Sequence, residues 1–347
     1  MAENHKLKLV GIRKETANTN TYFFEKADQE PYHYRAGQFL TVILNRSNRE
    51  LRRSYSFSST PGIDPKISIT VREIHNGEVS RFLSRSLAEG SELHTLAPAG
   101  LFTFEPVKSE RDILLFAAGS GIVPVFSLLK QILRDEPGSN LILLTQNRSE
   151  KEIIFRDQLT EIFNRNAAGA TWISLSSDPQ GLNPQRLNAD ILEEILEKYL
   201  RYPVDQALVF ICGPLPFMRM IEFTLKTTGF GSHQIRREIF MFDKVPEPSF
   251  FIDETPRNLQ IRIGDKEHRI SIAYPQSILQ ACLDAGIQVP YSCRGGRCSS
   301  CIAVCTSGEV KMTINEVLTN SDLAKNLVLT CVGYALTDLR LEIKIRS

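Results

Sequence analysis

Four cysteines near the C-terminus carry the strongest chemical signal in the chain. Cys293, Cys298 and Cys301 share one short segment, Cys293-Arg-Gly-Gly-Arg-Cys298-Ser-Ser-Cys301, and Cys331 follows thirty residues later. This C-x4-C-x2-C…C spacing is one in which four thiolates hold a [2Fe–2S] cluster. The residues between the ligands suit that task. Gly295 and Gly296 are free to take positive φ, so the loop can wrap closely. Ser299 and Ser300 are small and leave backbone N–H groups to face sulfide and set the potential. Structural zinc usually shows two separated C-x2-C pairs, whereas here three ligands lie in one loop. The spacing therefore favours a cluster over zinc or free thiols. Cys212, Cys282 and Cys305 are left over, and the apolar surroundings of Cys282 and Cys305 predict plain burial.

A second set is Arg53-Ser54-Tyr55-Ser56. An arginine fork binds pyrophosphate. A tyrosine two residues along shares its strand face and can cover an isoalloxazine ring. Ser56, on the other side of the strand, can donate a hydrogen bond near a flavin N5. Taken alone, such a tetrapeptide is more often surface decoration. Downstream, Asn76-Gly77-Glu78-Val79-Ser80 places a glycine turn and a serine at a helix N-terminus, where anions bind.

Three further stretches point to a nucleotide. Gly119-Ser-Gly121-Ile122-Val-Pro124 follows an apolar run and opens a helix, the context in which a glycine loop binds phosphate. Proline stands where the usual dinucleotide fingerprint has its third glycine. In Thr145-Gln-Asn-Arg148-Ser149 no carboxylate is available for a ribose 2′-hydroxyl, whereas Arg148 and Ser149 suit a 2′-phosphate. NADPH is therefore favoured as donor, with NADH still possible. Cys212-Gly213-Pro214-Leu-Pro-Phe-Met218 lies between a strand and a helix, and Pro214 suits a first helical turn.

The elements that must position these residues fall into segments. From Lys6 to about Lys108 short alternating strands (among them Leu7–Val10, Phe39–Leu44, Ser54–Ser58 and Ile67–Glu73) and one helix, Val79–Ala88, predict an antiparallel β-barrel. From Asp112 apolar strands alternate with helices over 123–135, 153–164, 184–200 and 214–228, which predicts a doubly wound parallel α/β sheet. Asp243 to Pro256, with several prolines and charges, reads as a linker. The remainder has paired strands, 259–263 and 268–272, a helix over 277–285 closed by Gly286, the cysteine loop and a strand over 339–345. The domains expected are 1–108, 109–240 and 257–347, joined by 241–256.

Composition sets outer bounds. The chain has 347 residues, with 41 Lys+Arg against 40 Asp+Glu, and this balance argues against a nucleic-acid partner. No run of 18 uncharged apolar residues occurs, so neither a membrane helix nor a membrane partner is expected. Met1–Lys8 lacks the apolar core of a signal peptide, and the cysteine usage suits a cytoplasmic protein.

With these motifs in order, residues 6–240 resemble the ferredoxin–NADP reductase superfamily, and residues from about Thr255 onward resemble a plant-type ferredoxin with a β-grasp (α+β) fold. The resemblance implies that Arg53, Tyr55, Ser56, Val71, Arg72, Gly77, Val79 and Ser80 contact flavin, with Gly77–Ser80 beside a pyrophosphate and hence FAD rather than FMN. It implies that Gly119, Gly121, Ile122 and Pro124 form the pyridine-nucleotide loop. Cys212, Gly213, Pro214 and Met218 are then expected to approach the nicotinamide, with Cys212 orienting the ring and Glu238 of Arg237-Glu238-Ile-Phe240 beside the flavin. Ser56, Cys212 and Glu238 are thus the candidate catalytic residues, and Cys293, Cys298, Cys301 and Cys331 the metal ligands. The domain order resembles that of oxygenase reductases of the phenylacetyl-CoA epoxidase type. It implies electron flow from NAD(P)H through FAD to the [2Fe–2S] cluster and on to an oxygenase or hydroxylase. A stand-alone flavin reductase and a non-catalytic redox sensor are the alternatives. From Glu254 to Ser347 there are 11 Lys+Arg against 9 Asp+Glu, unlike the acidic free ferredoxins. A tethered domain needs less steering.

Overall fold

The computed structural model describes residues 4–28, 30–46, 49–180, 184–240 and 255–343. Of the linker expected over 241–256, only Thr255 and Pro256 fall within the described residues. Strands β1 (Asn4–Thr16), β2 (Thr19–Lys26), β3 (Phe39–Arg46), β4 (Arg49–Ser56), β5 (Ile67–Arg72) and β6 (Glu92–Ala99) form one antiparallel sheet in the order β4-β3-β6-β1-β2-β5. A bridge between Phe57 and Ile69 brings the chain after β4 onto β5 and closes the sheet into a barrel. Alternate side chains point inward, and Leu7, Leu9, Phe24, Leu40, Phe57 and Ile69 fill the core. Helix α1 (Glu78–Ser86) adds Val79 and Leu83 to that core.

Two of these strands outrun their apolar pattern. β1 pairs with β2 as far as Thr16 and Thr19. β4 starts at Arg49, because the β3–β4 hairpin pairs Arg46 with Arg49 and continues to Phe39 with Ser56. Backbone pairing needs no apolar side chains, so the polar Leu51-Arg-Arg-Ser54 stretch conceals a strand. The whole Arg53–Ser56 motif consequently sits on one paired strand.

The second domain has β7 (Asp112–Ala118), β8 (Asn140–Asn147), β9 (Ala170–Ser176), β10 (Leu208–Cys212) and β11 (Ile235–Glu238), all parallel in the order β11-β10-β7-β8-β9. Every residue of β7 is buried, because helices cover both faces of the sheet. Helices α2 (Ile122–Asp135) and α3 (Arg156–Arg165) pack in one apolar cluster, α4 (Ala189–Tyr199) and α5 (Leu215–Thr227) in the other. The chain runs outward from β7 to β8 and β9, then returns to place β10 and β11 on the other side. The ends of β7 and β10 therefore form the switch point where ligands of such sheets bind.

β9 and β11 carry no unbroken apolar run. They are edge strands with largely intermediate burial, which hides them from periodicity. Two helices begin later than their pattern predicts. Phe155, at φ 61°, interrupts the chain before α3, and Asn188 caps α4 by accepting from the Ile191 N–H. Pro214 stands at the N-cap of α5, and Pro216 occupies the first turn expected of it.

The third domain is a mixed sheet of β12 (Arg257–Ile263), β13 (Lys266–Ile272), β14 (Ile302–Ser307), β16 (Leu327–Leu329) and β18 (Leu339–Ile343), beside a small ribbon of β15 (Val310–Met312) and β17 (Gly333–Ala335). β12 and β18 are parallel. Helix α6 (Ile278–Asp284) packs its apolar side on this core, and the short α7 (Asn320–Ala324) precedes β16. The order β13-β12-β18-β14-β16 with one covering helix is the expected β-grasp. Cys282 is buried in it, but Cys305 is only half-buried and directs its thiol to the Ser307 carbonyl. The pieces β14 to β17 are too short and mixed to show a period. Residues 344 and 345 of the expected last strand lie outside the described residues. Among the described residues no helix is long and apolar enough to cross a membrane.

Barrel and parallel sheet are tied by polar contacts along α2. Thr60 Oγ1 donates to the Ser127 carbonyl at 2.8 Å, and Ser127 Oγ donates to the Ser59 carbonyl at 2.6 Å. Lys130 Nζ donates to the Ser58 carbonyl at 3.0 Å and pairs with Asp64. Its side chain is only 11% exposed, and burial pulls its pKa below that of a free lysine, with Asp64 opposing. Asp64→Ala removes the counter-charge, and the unfolding free energy is expected to drop by about 1–3 kcal/mol in a urea titration.

Candidate functional site

At the ends of β7 and β10 lies a cavity of about 710 Å³, bounded by Gly119, Gly121, Arg148, Gly213, Pro214 and, from the barrel, Arg72. Gly121 lies so close to the Cys212 carbonyl that a Cβ there would run into it. Only glycine lets the two loops meet. Arg72 pairs with Glu152, so the last residue of β5 reaches across the domain boundary. The structure separates some expected partners. Arg148 faces this cavity, whereas Ser149 lines a smaller pocket with Arg156 and Trp172. Ile122, Pro124 and Met218 are buried in the helices behind the loops. Arg186, Phe217 and Phe240 line the cavity, and sequence reasoning missed them as contributors. Arg186 follows a Gly-Leu-Asn-Pro stretch without period, so no local signal marks it.

On the barrel, Arg53 is exposed and donates to the Arg52 carbonyl at 2.7 Å. Tyr55 is half-buried, and burial pushes its phenol up despite the nearby Arg53. Ser56 is 4% exposed and its Oγ has no hydrogen-bond partner among the described residues. A buried hydroxyl without a partner is costly, and a flavin edge would satisfy it. Gly77 begins α1 with no side-chain cap, which leaves first-turn N–H groups for an anion. Ser80 Oγ is turned inward, donating to the Gly77 carbonyl at 3.1 Å. Val71 and Val79 are buried. These features fit a dinucleotide flavin lying over β4 and ending at α1.

Glu238 and Cys212 are register partners on β11 and β10. Glu238 is partly accessible at its rim but deep among protein atoms, and burial raises its carboxyl to about 8. Cys212 is wholly buried, and burial with the Glu238 charge holds its thiol far above the ordinary range. A thiol so held is no nucleophile.

The four cluster cysteines converge in the third domain. Among the described residues no three His, Cys, Asp or Glu side chains close on a single-ion site. Cys301 Sγ lies 3.2 Å from Cys331 Sγ, and Cys298 Sγ accepts the Cys293 N–H at 3.4 Å. Four convergent thiols fit the ligand set of a [2Fe–2S] cluster. Hydrogen bonds from the Cys298 and Cys331 thiols, with the Gly295 and Arg297 backbone, hold the Cys293 thiol well below the ordinary range. Cys331 is pushed up by its contacts with Cys293 and Cys301. The same N–H groups would stabilise thiolates on iron. The left-handed residues of the loop are Arg294, Gly296 and Ser299, not Gly295. Gly296 is needed there because a Cβ would come within 2.8 Å of Ile314. Arg297 is buried and pairs with Glu316 at 3.1 Å.

Comparison with known proteins follows the same three parts. The chain matches the models of an oxidoreductase FAD-binding domain over residues 6–104, an oxidoreductase NAD-binding domain over 115–222 and a 2Fe-2S iron-sulfur cluster binding domain over 261–336. It is similar to the 3-ketosteroid-9-alpha-monooxygenase, ferredoxin reductase component, of Rhodococcus rhodochrous. The two are 32% identical over 348 residues, covering 97% of this chain and 96% of that protein. It is also similar to a component of the 1,2-phenylacetyl-CoA epoxidase of Escherichia coli (strain K12), at 30% identity with 97% and 96% covered. Among solved structures, phthalate dioxygenase reductase shares the fold, with a TM-score of 0.60 and 23% identity over 97% of each chain.

The depth of Glu238 has a pH signature. Its carboxyl sits at about 8 in the folded chain against an ordinary 4.5, so the folded state holds the proton longer than the unfolded one. Between those values stability must fall as pH rises. Glu238→Gln removes this dependence, and its melting temperature is expected to gain on the native protein steadily from pH 5 to pH 8 in parallel scans. A constant gap would show that the carboxyl titrates normally.

Proposed function

The chain belongs to the family of oxygenase reductase components that combine FAD-binding, NAD-binding and 2Fe-2S domains, and we propose how its own residues divide their work. It is an NAD(P)H-dependent oxidoreductase that passes electrons through FAD and a [2Fe–2S] cluster to a partner oxygenase. The observation that carries the residue-level reading is the single cavity at the switch point, where Gly119, Gly121, Arg148 and Arg186 of the nucleotide domain meet Arg72 of the barrel.

When bound, FAD converts between a two-electron hydride donor and the one-electron cluster. Arg53 and the uncapped start of α1 at Gly77–Ser80 hold the flavin's pyrophosphate. Tyr55 covers its ring, and Ser56 Oγ donates to its edge. Because Val71 and Val79 are buried, they serve through backbone groups, and Arg72 ties the flavin side to Glu152. Gly119 and Gly121 let the nucleotide's phosphates approach the start of α2, with Ile122 and Pro124 packing that helix in place. Gly213 and Pro214, backed by Met218, shape the nicotinamide end beside Cys212, and Glu238 keeps its proton near neutral pH. Arg148 and Arg186 supply two cations to the lining of the cavity, which favours a 2′-phosphate and hence NADPH. Ser149, in the adjoining pocket, supports that loop. Cys293, Cys298, Cys301 and Cys331 hold the cluster. Residues 1–108, 109–240 and 257–347 are taken as the three functional domains, joined by 241–256. A cytoplasmic location fits the need for four reduced thiols.

Two experiments test this reading. Arg148→Ala and Arg186→Ala should each lower kcat/KM for NADPH about tenfold, roughly 1.4 kcal/mol, while changing kcat/KM for NADH less than twofold. Equal losses with both donors would refute the 2′-phosphate role. Cys298→Ser should remove iron-dependent visible absorbance and lower NADPH-driven cytochrome c reduction at least tenfold. Unchanged reduction would mean that electrons leave from the flavin.

A further inference from the structure

β4 faces two ways. Its side chains alternate across the strand, so Arg53 and Tyr55 share one face while Arg52 and Ser54 share the other. The second face meets the third domain at the residues just before the first cluster ligand. Ser54 Oγ lies 2.7 Å from Ser292 Oγ, and Ser292 is bonded to Cys293. Arg52 Nη1 donates to the Tyr291 carbonyl at 3.3 Å, and its guanidinium stacks 4.0 Å from the centre of the Tyr291 ring. Arg294, on the ligand loop, contacts the same ring at 4.5 Å. Glu50 pairs with Arg52 at 2.7 Å and aims it.

Other contacts support the same docked face. Thr41, the β3 partner of Ser54, lines a cavity of about 220 Å³ with Leu101 of the barrel and Ser299 and Ser300 of the cysteine loop. Leu101 packs against the core of the third domain. The contact is thus a seam of several elements.

We infer that Arg52 and Ser54 are positioning residues that dock the cluster loop on the flavin-binding strand, so that Tyr55 and Cys293 are separated by one hydroxyl–hydroxyl contact and two adjacent backbone links. Their role is to set the rate of electron passage from flavin to cluster. A guanidinium on an aromatic face suits a detachable contact. This inference rests on the proposed flavin face of β4, and its test separates the two.

In the full chain, Ser54→Cys together with Ser292→Cys places two thiols where the hydroxyls now touch, within reach of disulfide geometry. Oxidised glutathione accepts the two electrons and two protons as the S–S bond forms. The expected product is an intramolecular 54–292 crosslink, identified by peptide mass and reversed by dithiothreitol. Its absence overturns the docking. In anaerobic stopped flow with NADPH, Arg52→Ala should leave the rate of flavin bleaching within twofold and slow the subsequent cluster bleaching at least tenfold, with Arg52→Lys intermediate. Cluster reduction at the native rate overturns the positioning role, as does parallel slowing of both phases, which would assign Arg52 to the flavin site. Failure of the native protein to bleach its flavin would instead strike at the functional reading beneath.

Discussion

Electrons cross protein only over short gaps, so three binding segments far apart in sequence have to be held almost in contact. Everything in the architecture serves that constraint. The barrel supplies β4, the parallel sheet supplies the ends of β7 and β10, and the β-grasp supplies a loop whose ligands begin at Cys293. None of the three is sufficient alone, because each cofactor edge must meet the next across a domain boundary. The joins are accordingly polar and local. Thr60, Ser127 and Lys130 fix the barrel to α2, Arg72 crosses to Glu152, and Arg52 and Ser54 cross to Tyr291 and Ser292.

The close approach of Gly121 to the Cys212 carbonyl shows how such a constraint is written into a sequence. Two loops from different βα units must touch for one ligand to lie over both, and a single side-chain atom would part them. The consequence extends to Glu238. Because β11 stands beside β10 in register, closing the loops also buries this carboxyl, and burial alone raises it to about 8. Loop geometry and proton affinity therefore share a cause. The same link between packing and chemistry appears in the cysteine loop, where the turns that bring the thiols together also direct backbone N–H groups at Cys293.

Legibility in the sequence followed physical origin. The cysteine spacing, the apolar run of β7 and the glycine loop after it are local, and each could be read as it stood. The three-domain order followed from the switch between a period of two and alternating strands and helices. What escaped were features decided by pairing with distant partners. β4 extends back to Arg49 only because β3 lies beside it, and polar residues there carry no strand signal. β9 and β11 take their structure from the neighbouring strand at a sheet edge. Arg186 reaches the cavity from an irregular segment, while Ser149 next to Arg148 turns into another pocket. Adjacent residues can face different spaces, and a motif read as a string does not say which. Cys305 shows the converse: an apolar neighbourhood in sequence did not amount to burial.

The seam between barrel and β-grasp includes a hydroxyl pair, a stacked guanidinium, a hydrogen bond to a carbonyl and the packing of Leu101. Separate proteins meeting through these contacts would first have to offset a large loss of translational and rotational freedom. A single chain meets that loss once, at synthesis, and a short tether keeps the two surfaces at an effective concentration of about mM. Few contacts then suffice to orient the loop, and no strong field is needed to draw it in. This accounts for the near-neutral balance of 11 basic against 9 acidic residues from Glu254 onward. Steering charge matters for a carrier that must find its donor by diffusion; a carrier joined to its donor needs only the geometry of a seat, which Arg52 and Ser54 provide.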